Sequence, residues 1–413
     1  MRSDRFPGWR VVTGCFIVLS TTSGLGFYGL AVYLNAFSRE RGWDVASVSL
    51  ATTLFFFVSG LVGLWAARLV ARHDVRLVIV GGSLLGGGAL AILGQVQHRW
   101  QLFVVYGVFA VGWSGAGMVP ATTVITRWFH RRRSVALSVA STGLSVGGIL
   151  LTPAAKWLLD ERGLEAGTPW LGLVFVLGTA PFALWLVHPD PARVGWLPDG
   201  ERSSPDAPLA PASGTAFSDA IRTRFFVAVT FGYLFVLGSQ VGAIQQLVRL
   251  AEERTDKSTA SFATLFLAAT SVVARLVGGR LVARLPMAGF TVGLAVLQSV
   301  AMIGIAFSET KVALFAAIVV FGATVGNILM LQPLLIAERF GVFDYPRIFS
   351  RSQFIMMLGT ALGPLVLGWL HDNAGGYRTS YLVAAGLSMT GAAVLATGGA
   401  ATMVDDRQVQ LAT

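Results

Sequence analysis

The sequence of 413 residues contains few charged residues and one cysteine, and both shortages exclude classes of protein. Charged residues make up 13% of the chain, against roughly 25% in a typical soluble protein, which excludes a soluble globular enzyme. Cys15 stands alone, so no intrachain disulfide bond or cysteine-based metal site can form. The five histidines show no metal-ligand spacing, and no Walker A sequence is present. We therefore expect no metal ion, no cofactor and no ATP-driven reaction.

Long apolar runs take up most of the sequence. Hydrophobic residues make up 54% of the chain, and the mean hydropathy is +0.68. A helix that crosses a bilayer needs about 20 predominantly apolar residues. The runs here are continuously apolar rather than alternating, which favours helices over a β-barrel. We predict an all-α polytopic membrane protein with twelve transmembrane helices at roughly 11–37, 46–70, 76–96, 101–126, 134–158, 170–188, 225–250, 259–283, 288–307, 311–336, 348–370 and 378–403.

A connection at 189–224, rich in proline and serine, divides the twelve spans into two groups of six. This composition is typical of a linker rather than of a folded domain. Residues 68–72 (RLVAR) recur as residues 280–284, which indicates an internal duplication. Transporters built from two such repeats bind their substrate between them. We predict an N-terminal six-helix bundle at 1–188, a cytoplasmic linker at 189–224 and a C-terminal six-helix bundle at 225–413.

The net charge of +10 is explained by membrane orientation. Twenty of the 31 lysines and arginines lie in the connections on the side of both termini, and ten lie on the opposite side. The positive-inside rule then places both termini in the cytoplasm. The aromatic residues beside Arg131 and Arg132 are typical of a membrane boundary, so we expect no nucleic-acid partner. We expect a monomer embedded in the lipid bilayer of the plasma (inner) membrane.

Two stretches of the sequence carry a family resemblance. Residues 127–136 (RWFHRRRSVA) are similar to the aromatic and basic stretch that enters helix 5 in monocarboxylate porters. A second similarity covers Gly359, Gly363, Pro364 and Gly368 in the eleventh span. With its two six-helix halves, the chain resembles the major facilitator superfamily, in the branch of monocarboxylate porters and oxalate/formate antiporters. The resemblance implies a major facilitator fold and alternating access around a central cavity.

The basic residues of the short loops also match this superfamily, with one departure. The resemblance implies a structural or gating role for six arginines: Arg68, Arg72, Arg131, Arg132, Arg280 and Arg284. Where the superfamily has an aspartate before the arginine of loop 2–3, this chain has Ala71 before Arg72. Asp74 is the candidate replacement for that aspartate.

Arg275 is the ionisable residue that lies in the middle of a predicted span. A mid-membrane arginine costs at least about 2.5–3.5 kcal/mol. The nearest cytoplasmic end is roughly 12–15 Å away at 1.5 Å per residue, which is beyond the reach of the side chain. We expect Arg275 to face the central cavity and bind a carboxylate; the alternative is pairing with backbone carbonyls or a hydroxyl. The resemblance favours the carboxylate, because Arg275 matches the helix 8 arginine that binds substrate in this family.

Further polar residues in the spans are candidates for contacts with the substrate. Each could instead form a hydrogen bond between helices. They are Ser271, Tyr28, Asn35, Trp113, Ser145, Gln246 and Asn327. Ser271 stands where many relatives have an aspartate, and the usual histidine of helix 7 is missing near Gln246. A coupled proton would therefore have to travel on the substrate carboxylate or on a peripheral group.

The sequence thus predicts a secondary active transporter of a small organic anion. We expect a monocarboxylate, because residues 352–370 contain no lysine or arginine that could bind a second carboxylate. We expect proton symport, because electroneutral entry of an acid down a proton gradient is chemically simple. Two alternatives remain open. One is an organic anion exchanger of the oxalate/formate type, and the other is a non-transporting membrane sensor on a transporter fold. No catalytic constellation supports an enzyme.

Overall fold

A computed structural model describes residues 6–200, 214–255, 257–282 and 284–401. Within these ranges the chain is helical, with one isolated β-bridge between Gly214 and Gly341 and no strand. Eleven of the described helices are long and apolar enough to cross a membrane. Part of the predicted linker, at 201–213, and the tail from 402 lie outside the described residues. The prediction of an all-α membrane protein is confirmed.

The first four spans are interrupted within the membrane at two places. Helix α1 (Gly8–Arg41) contains a π-helical turn at Ser23–Phe27. Helix α4 (Arg99–Trp128) is divided between Arg99–Ala116 and Met118–Trp128. Such turns free backbone groups, and in a membrane they are tolerated where neighbouring protein covers them. The bounds of these spans are α1 Gly8–Arg41, α2 Val45–Arg72, α3 Val75–Ile92 and α4 Arg99–Trp128.

Helix Arg133–Leu177 contains two spans, because its backbone leaves the helical region at Gly163. Gly163 has φ 73° and ψ 175°, a conformation that glycine adopts without steric cost. We label the two parts α5 (133–162) and α6 (164–177); α6 is followed by the short helix Ala180–Trp185. The sequence predicted an end at 158 and a restart at 170, but the two helices meet directly at the glycine.

The remaining spans follow without such a break. They are α7 Arg224–Arg254, α8 Lys257–Leu281, α9 Met287–Phe307, α10 Lys311–Phe340, α11 Tyr345–Asn373 and α12 Gly376–Ala396. The other described elements are a short helix at Phe217–Ala220 and 3₁₀ turns at Leu93–Gln95, Ala192–Val194 and Pro198–Gly200. We call α1–α6 the N-half and α7–α12 the C-half. The terminal face is the side on which α1 begins, and the distal face is the opposite side.

Glycines on α5 and α11 hold these helices in backbone contact with α1 and α7. A Cβ atom at Gly147 would overlap the carbonyl oxygen of Ser20 on α1. In the C-half, a Cβ atom at Gly363 would overlap the carbonyl oxygen of Gly238 on α7. In lipid, helices associate through close packing of this kind. The α1–α5 and α7–α11 pairs therefore pack in the same way, as expected for duplicated halves.

Substitution of Gly363 by valine is expected to destabilise the C-half. The added side chain must displace the α7 backbone, and overpacking of this kind costs about 1–3 kcal/mol. Gly368→Val is the matched control on the same helix, because a Cβ atom there meets nothing within 4 Å. Thermal unfolding of the purified protein should show a lower midpoint for Gly363→Val only. Equal midpoints for the two variants would contradict the packing described here.

Candidate functional site

Three adjoining cavities lie between the two halves and share Phe27 and Val241 in their walls. The α5–α8 cavity, of about 390 Å³, is lined by α1, α5, α7 and α8. The α2–α11 cavity, of about 250 Å³, is lined by α1, α2, α7 and α11. The third, which we call the deep cavity, has a volume of about 100 Å³ and is lined by residues of both halves. The lining residues of the two larger cavities lie in the distal parts of their helices.

On the terminal side of these cavities the halves are in close contact. Gly279 on α8 packs directly against Ser138 on α5. Arg133, which is buried at the start of α5, places Nη1 3.9 Å from the Oε2 atom of Glu338 on α10. The halves are therefore closed toward the terminal face, and the two larger cavities lie on the distal side of this contact.

The Arg275 guanidinium is buried at the interface of the halves, with 1% of the residue exposed. Its Nε donates to the carbonyl oxygen of Gly326 on α10 at 2.5 Å, and its Nη1 donates to that of Ser141 on α5. The Ser138 hydroxyl in turn donates to the Arg275 carbonyl oxygen at 2.5 Å. Arg275 thus joins α5, α8 and α10.

Arg275 does not line the three cavities in this conformation. The expectation that it faces the central cavity is therefore not met, and the alternative of pairing with backbone carbonyls describes this state. The physical reason is that carbonyl dipoles can satisfy a buried cation where no carboxylate is near. A guanidinium has five N–H donors. Among the described residues only Gly326 and Ser141 accept from it, so donors remain for an anion.

Three of the predicted site residues lie in the wall of the α5–α8 cavity. The hydroxyl groups of Ser145 on α5 and Ser271 on α8 are 3.1 Å apart and form a hydrogen bond across the two halves. Ser271 stands one helical turn from Arg275 and lies on its face of α8. Tyr28 lines both this cavity and the deep cavity. Ser145 and Ser271 are therefore polar groups of the cavity wall close to Arg275, and Tyr28 is a further polar group of that wall.

The other four candidates take different positions. Trp113 lines the deep cavity, but its indole N–H donates to the Thr22 carbonyl oxygen at 2.8 Å. Asn327 is buried between helices, where its Nδ2 donates to Ala274. Asn35 is exposed on α1, and Gln246 is buried on α7. Asn35, Gln246 and Asn327 line none of the three cavities described above.

The predicted loop 2–3 arginines lie at the end of α2. Arg68 is exposed and lies over the Trp65 ring, with Cζ 5.2 Å from the ring centroid. Arg72 is exposed as well. Asp74 accepts from the Arg76 side chain at 2.8 Å, and this contact holds the pKa of the Asp74 carboxyl below its usual value. Asp74 therefore caps α3 and pairs with Arg76, and it does not take the place of an aspartate partner for Arg72.

The remaining predicted arginines lie on the terminal face. The backbone N–H groups of Arg131 and Arg132 donate to the Asp199 carboxylate at 2.7 and 3.3 Å. Asp199, in the segment after α6, thus anchors the start of the linker to the loop before α5. Arg280 and Arg284 are exposed at the end of α8. These positions suit the terminal face of the bundle and leave the gating prediction for the arginines untested.

Three glutamines that the sequence did not single out as binding candidates line the cavities. Gln245 on α7 lines both larger cavities, and Gln332 and Gln353 line the deep cavity with Gln240. Helical spacing was the available signal, because residues 237, 240, 241, 244, 245 and 248 form one face of α7. Gln245 lies on that face and lines the cavities, whereas the predicted residue Gln246 does not.

Comparison with known proteins identifies relatives over nearly the whole chain. The sequence matches the family model of the Major Facilitator Superfamily over residues 16–342 and 249–399. It is 27% identical to monocarboxylate transporter 11 of Homo sapiens, covering 93% of this chain and 81% of that protein. It is 24% identical to monocarboxylate transporter 13 of Rattus norvegicus, covering 94% and 88%.

Solved structures of transporters share the fold. The human organic anion transporter MFSD10 (TETRAN) superposes with a TM-score of 0.71 at 15% identity, covering 95% of this chain and all of that one. The transporter FucP in the outward conformation gives a TM-score of 0.72 at 15% identity, covering 95% and 98%. These likenesses confirm the predicted major facilitator fold.

A disulfide between Gly60→Cys and Met357→Cys is expected to form in this conformation. A Cβ atom at Gly60 on α2 lies 3.4 Å from the Met357 Cβ on α11, close to the spacing of a disulfide. A protease site placed in 201–213 reports the bond, because cross-linked halves stay together on a denaturing gel until they are reduced. The Cys15→Ser background removes the native thiol.

The control pair is Gly60→Cys with Leu362→Cys, because Leu362 is exposed on the outer surface of α11. It should remain uncross-linked under the same oxidant. Equal cross-linking of both pairs would contradict the close approach of α2 to α11 at Gly60 and Met357.

Proposed function

Because the chain belongs to the major facilitator superfamily, we propose that it transports a small monocarboxylate by alternating access, with Arg275 as the carboxylate-binding residue. As a member of this superfamily, the chain is an integral membrane transporter rather than an enzyme. Monocarboxylate transporters 11 and 13 are relatives at low identity, which supports this substrate class. The observation that carries the proposal is a buried guanidinium with free donors and no carboxylate partner among the described residues.

The Arg275 contacts supply a physical link between binding and movement. Carbonyl oxygens hold the guanidinium in the empty state, and a substrate carboxylate offers stronger, charge-assisted hydrogen bonds. A carboxylate that enters beside Ser145 and Ser271 would compete with Ser141 for the guanidinium. That exchange removes a hydrogen bond between α5 and α8, which is one of the contacts that close the terminal side. Substrate binding would therefore favour separation of the halves there.

The moving bodies in this proposal are the bundles at 1–188 and 225–413, joined by the linker at 189–224. The excess of basic residues on the terminal face favours a cytoplasmic location for that face and for both termini. The cavities would then open to the outside of the plasma membrane in the conformation described above. Rocking about the central site would open the terminal face and close the distal one.

We further propose that the carboxylate moves together with a proton. The described parts of the spans place no aspartate or glutamate beside Arg275 that could carry the proton separately. Entry of one anion with one proton is electroneutral, so the transported species carries no net charge across the membrane.

Arg275→Ala should weaken carboxylate binding roughly 30-fold or more. Loss of one partner of a buried, hydrogen-bonded charge pair costs about 2–5 kcal/mol, and every 1.4 kcal/mol is a factor of ten. The measurement is the rise in unfolding temperature produced by a panel of monocarboxylates, since a ligand of the native state stabilises it. Arg275→Lys should retain part of the rise because it retains the charge.

The matched control for lost charge is Arg222→Ala, because Arg222 is exposed before α7. This variant should respond to carboxylates as the wild-type protein does. Circular dichroism establishes that each variant is folded before the ligand is added. A folded Arg275→Ala variant with the wild-type response would refute the role of Arg275.

We expect an inward proton gradient to drive uptake of the carboxylate into liposomes. Uptake should not need a carboxylate inside the vesicles. External acidification should raise the initial rate of carboxylate uptake into liposomes that contain the protein, because each carboxylate enters with a proton. That rate should exceed the rate in protein-free liposomes at the same pH. An exchanger would instead need internal counter-substrate, and a sensor would bind the acid without flux. Uptake that occurs only into preloaded vesicles would contradict symport.

A further inference from the structure

The deep cavity contains a group of buried amide side chains that the proposed function does not use. Gln240 on α7 and Gln332 on α10 are 3% and 2% exposed, and Gln353 on α11 is half-buried. The Oε1 atoms of Gln240 and Gln353 have no hydrogen-bond partner within the described residues. Gln332 donates from Nε2 to the Ser352 hydroxyl at 3.1 Å. We call these three glutamines the amide cluster.

Two unpaired carbonyl oxygens in one cavity wall are unusual. Buried polar groups are nearly always hydrogen-bonded, because a lost partner leaves the full cost of desolvation. Gln240, Gln332 and Gln353 all line the deep cavity. The remaining wall is largely apolar and includes Leu237, Val241 and Met357. The wall of the deep cavity thus combines amide side chains with a surface that suits an alkyl chain.

The amide cluster lies some distance from the Arg275 guanidinium. The Gly326 carbonyl on α10 holds the guanidinium, and Gln332 follows six residues later on that helix. At a rise of 1.5 Å per residue, the Gln332 backbone lies about 9 Å from that of Gly326 along α10, toward the terminal face. Tyr28 and Ile244 line both the deep cavity and the α5–α8 cavity, so the two spaces adjoin. One elongated ligand can occupy both.

We propose that the amide cluster binds a hydroxyl or amide group at the end of the substrate remote from its carboxylate. This inference rests on the proposed function, because it assigns the other end of the same ligand. The substrate class is then an elongated monocarboxylate with a polar terminus and an apolar middle. A polar group on the carbon next to the carboxylate would stay beside Arg275, whereas the cluster residue Gln332 is about 9 Å of helix rise from Gly326.

Three acids of equal chain length test the inference: hexanoate, 6-hydroxyhexanoate and 2-hydroxyhexanoate. Isothermal titration of the purified full-length protein gives their dissociation constants. The wild-type protein should bind 6-hydroxyhexanoate about tenfold more tightly than hexanoate, since one neutral hydrogen bond contributes up to about that factor. The 2-hydroxy acid should gain nothing over hexanoate.

Gln240→Leu should remove the preference for the 6-hydroxy acid and leave the affinity for hexanoate nearly unchanged. Gln246→Leu is the matched control, because Gln246 is a buried glutamine on the same helix that also has an unpaired Oε1. It lines none of the three cavities, so the tenfold preference should persist in this variant. Thermal unfolding confirms that both variants are folded before titration.

The outcomes separate this inference from the proposed function. Equal affinity of the wild-type protein for hexanoate and 6-hydroxyhexanoate would overturn the amide-cluster proposal and leave the carboxylate site standing. The same holds if Gln240→Leu keeps the preference, or if Gln246→Leu loses it. Failure of all three acids to bind would overturn the proposed function, and this inference with it.

Discussion

The burial of one guanidinium between the two halves is the constraint on which the rest of the site depends. A cation inside the membrane is costly unless donors and acceptors surround it. In the conformation described here, carbonyl oxygens of Gly326 and Ser141 meet that requirement, and they come from helices on opposite sides of the interface. The cation therefore bonds the halves together while the site is empty. Any anion that satisfies Arg275 better also changes the bonding between the halves.

The helix packing makes such an exchange possible without loss of the fold. Within each half, glycines such as Gly147 and Gly363 bring backbones into direct contact, and these contacts are too close to rearrange. Between the halves, the described polar contacts are made by side chains that can exchange partners. Examples are the Ser145–Ser271 hydrogen bond and the 3.9 Å approach of Arg133 to Glu338. Rigid bundles with an exchangeable interface suit alternating access.

The sequence predicts the architecture well because the bilayer imposes strict requirements on it. Long apolar runs mark the spans, and a mid-span charge marks Arg275, whatever the tertiary packing. The direction of a polar side chain is harder to predict, because helices that are apolar all round give no amphipathic signal. On α7 the sequence predicts Gln246, whereas its neighbour Gln245 lines the cavities. The carbonyl partners of Arg275 belong to the backbone and leave no signature in the sequence.

Substrate binding in this scheme replaces the Ser141 carbonyl on Arg275 with a carboxylate. An experimental structure of the protein with a bound monocarboxylate tests this most directly. We expect carboxylate oxygens at about 2.7–2.9 Å from the guanidinium nitrogens, with the bond to the Ser141 carbonyl lost. A bound carboxylate located elsewhere, with Arg275 still on Gly326 and Ser141, would contradict it.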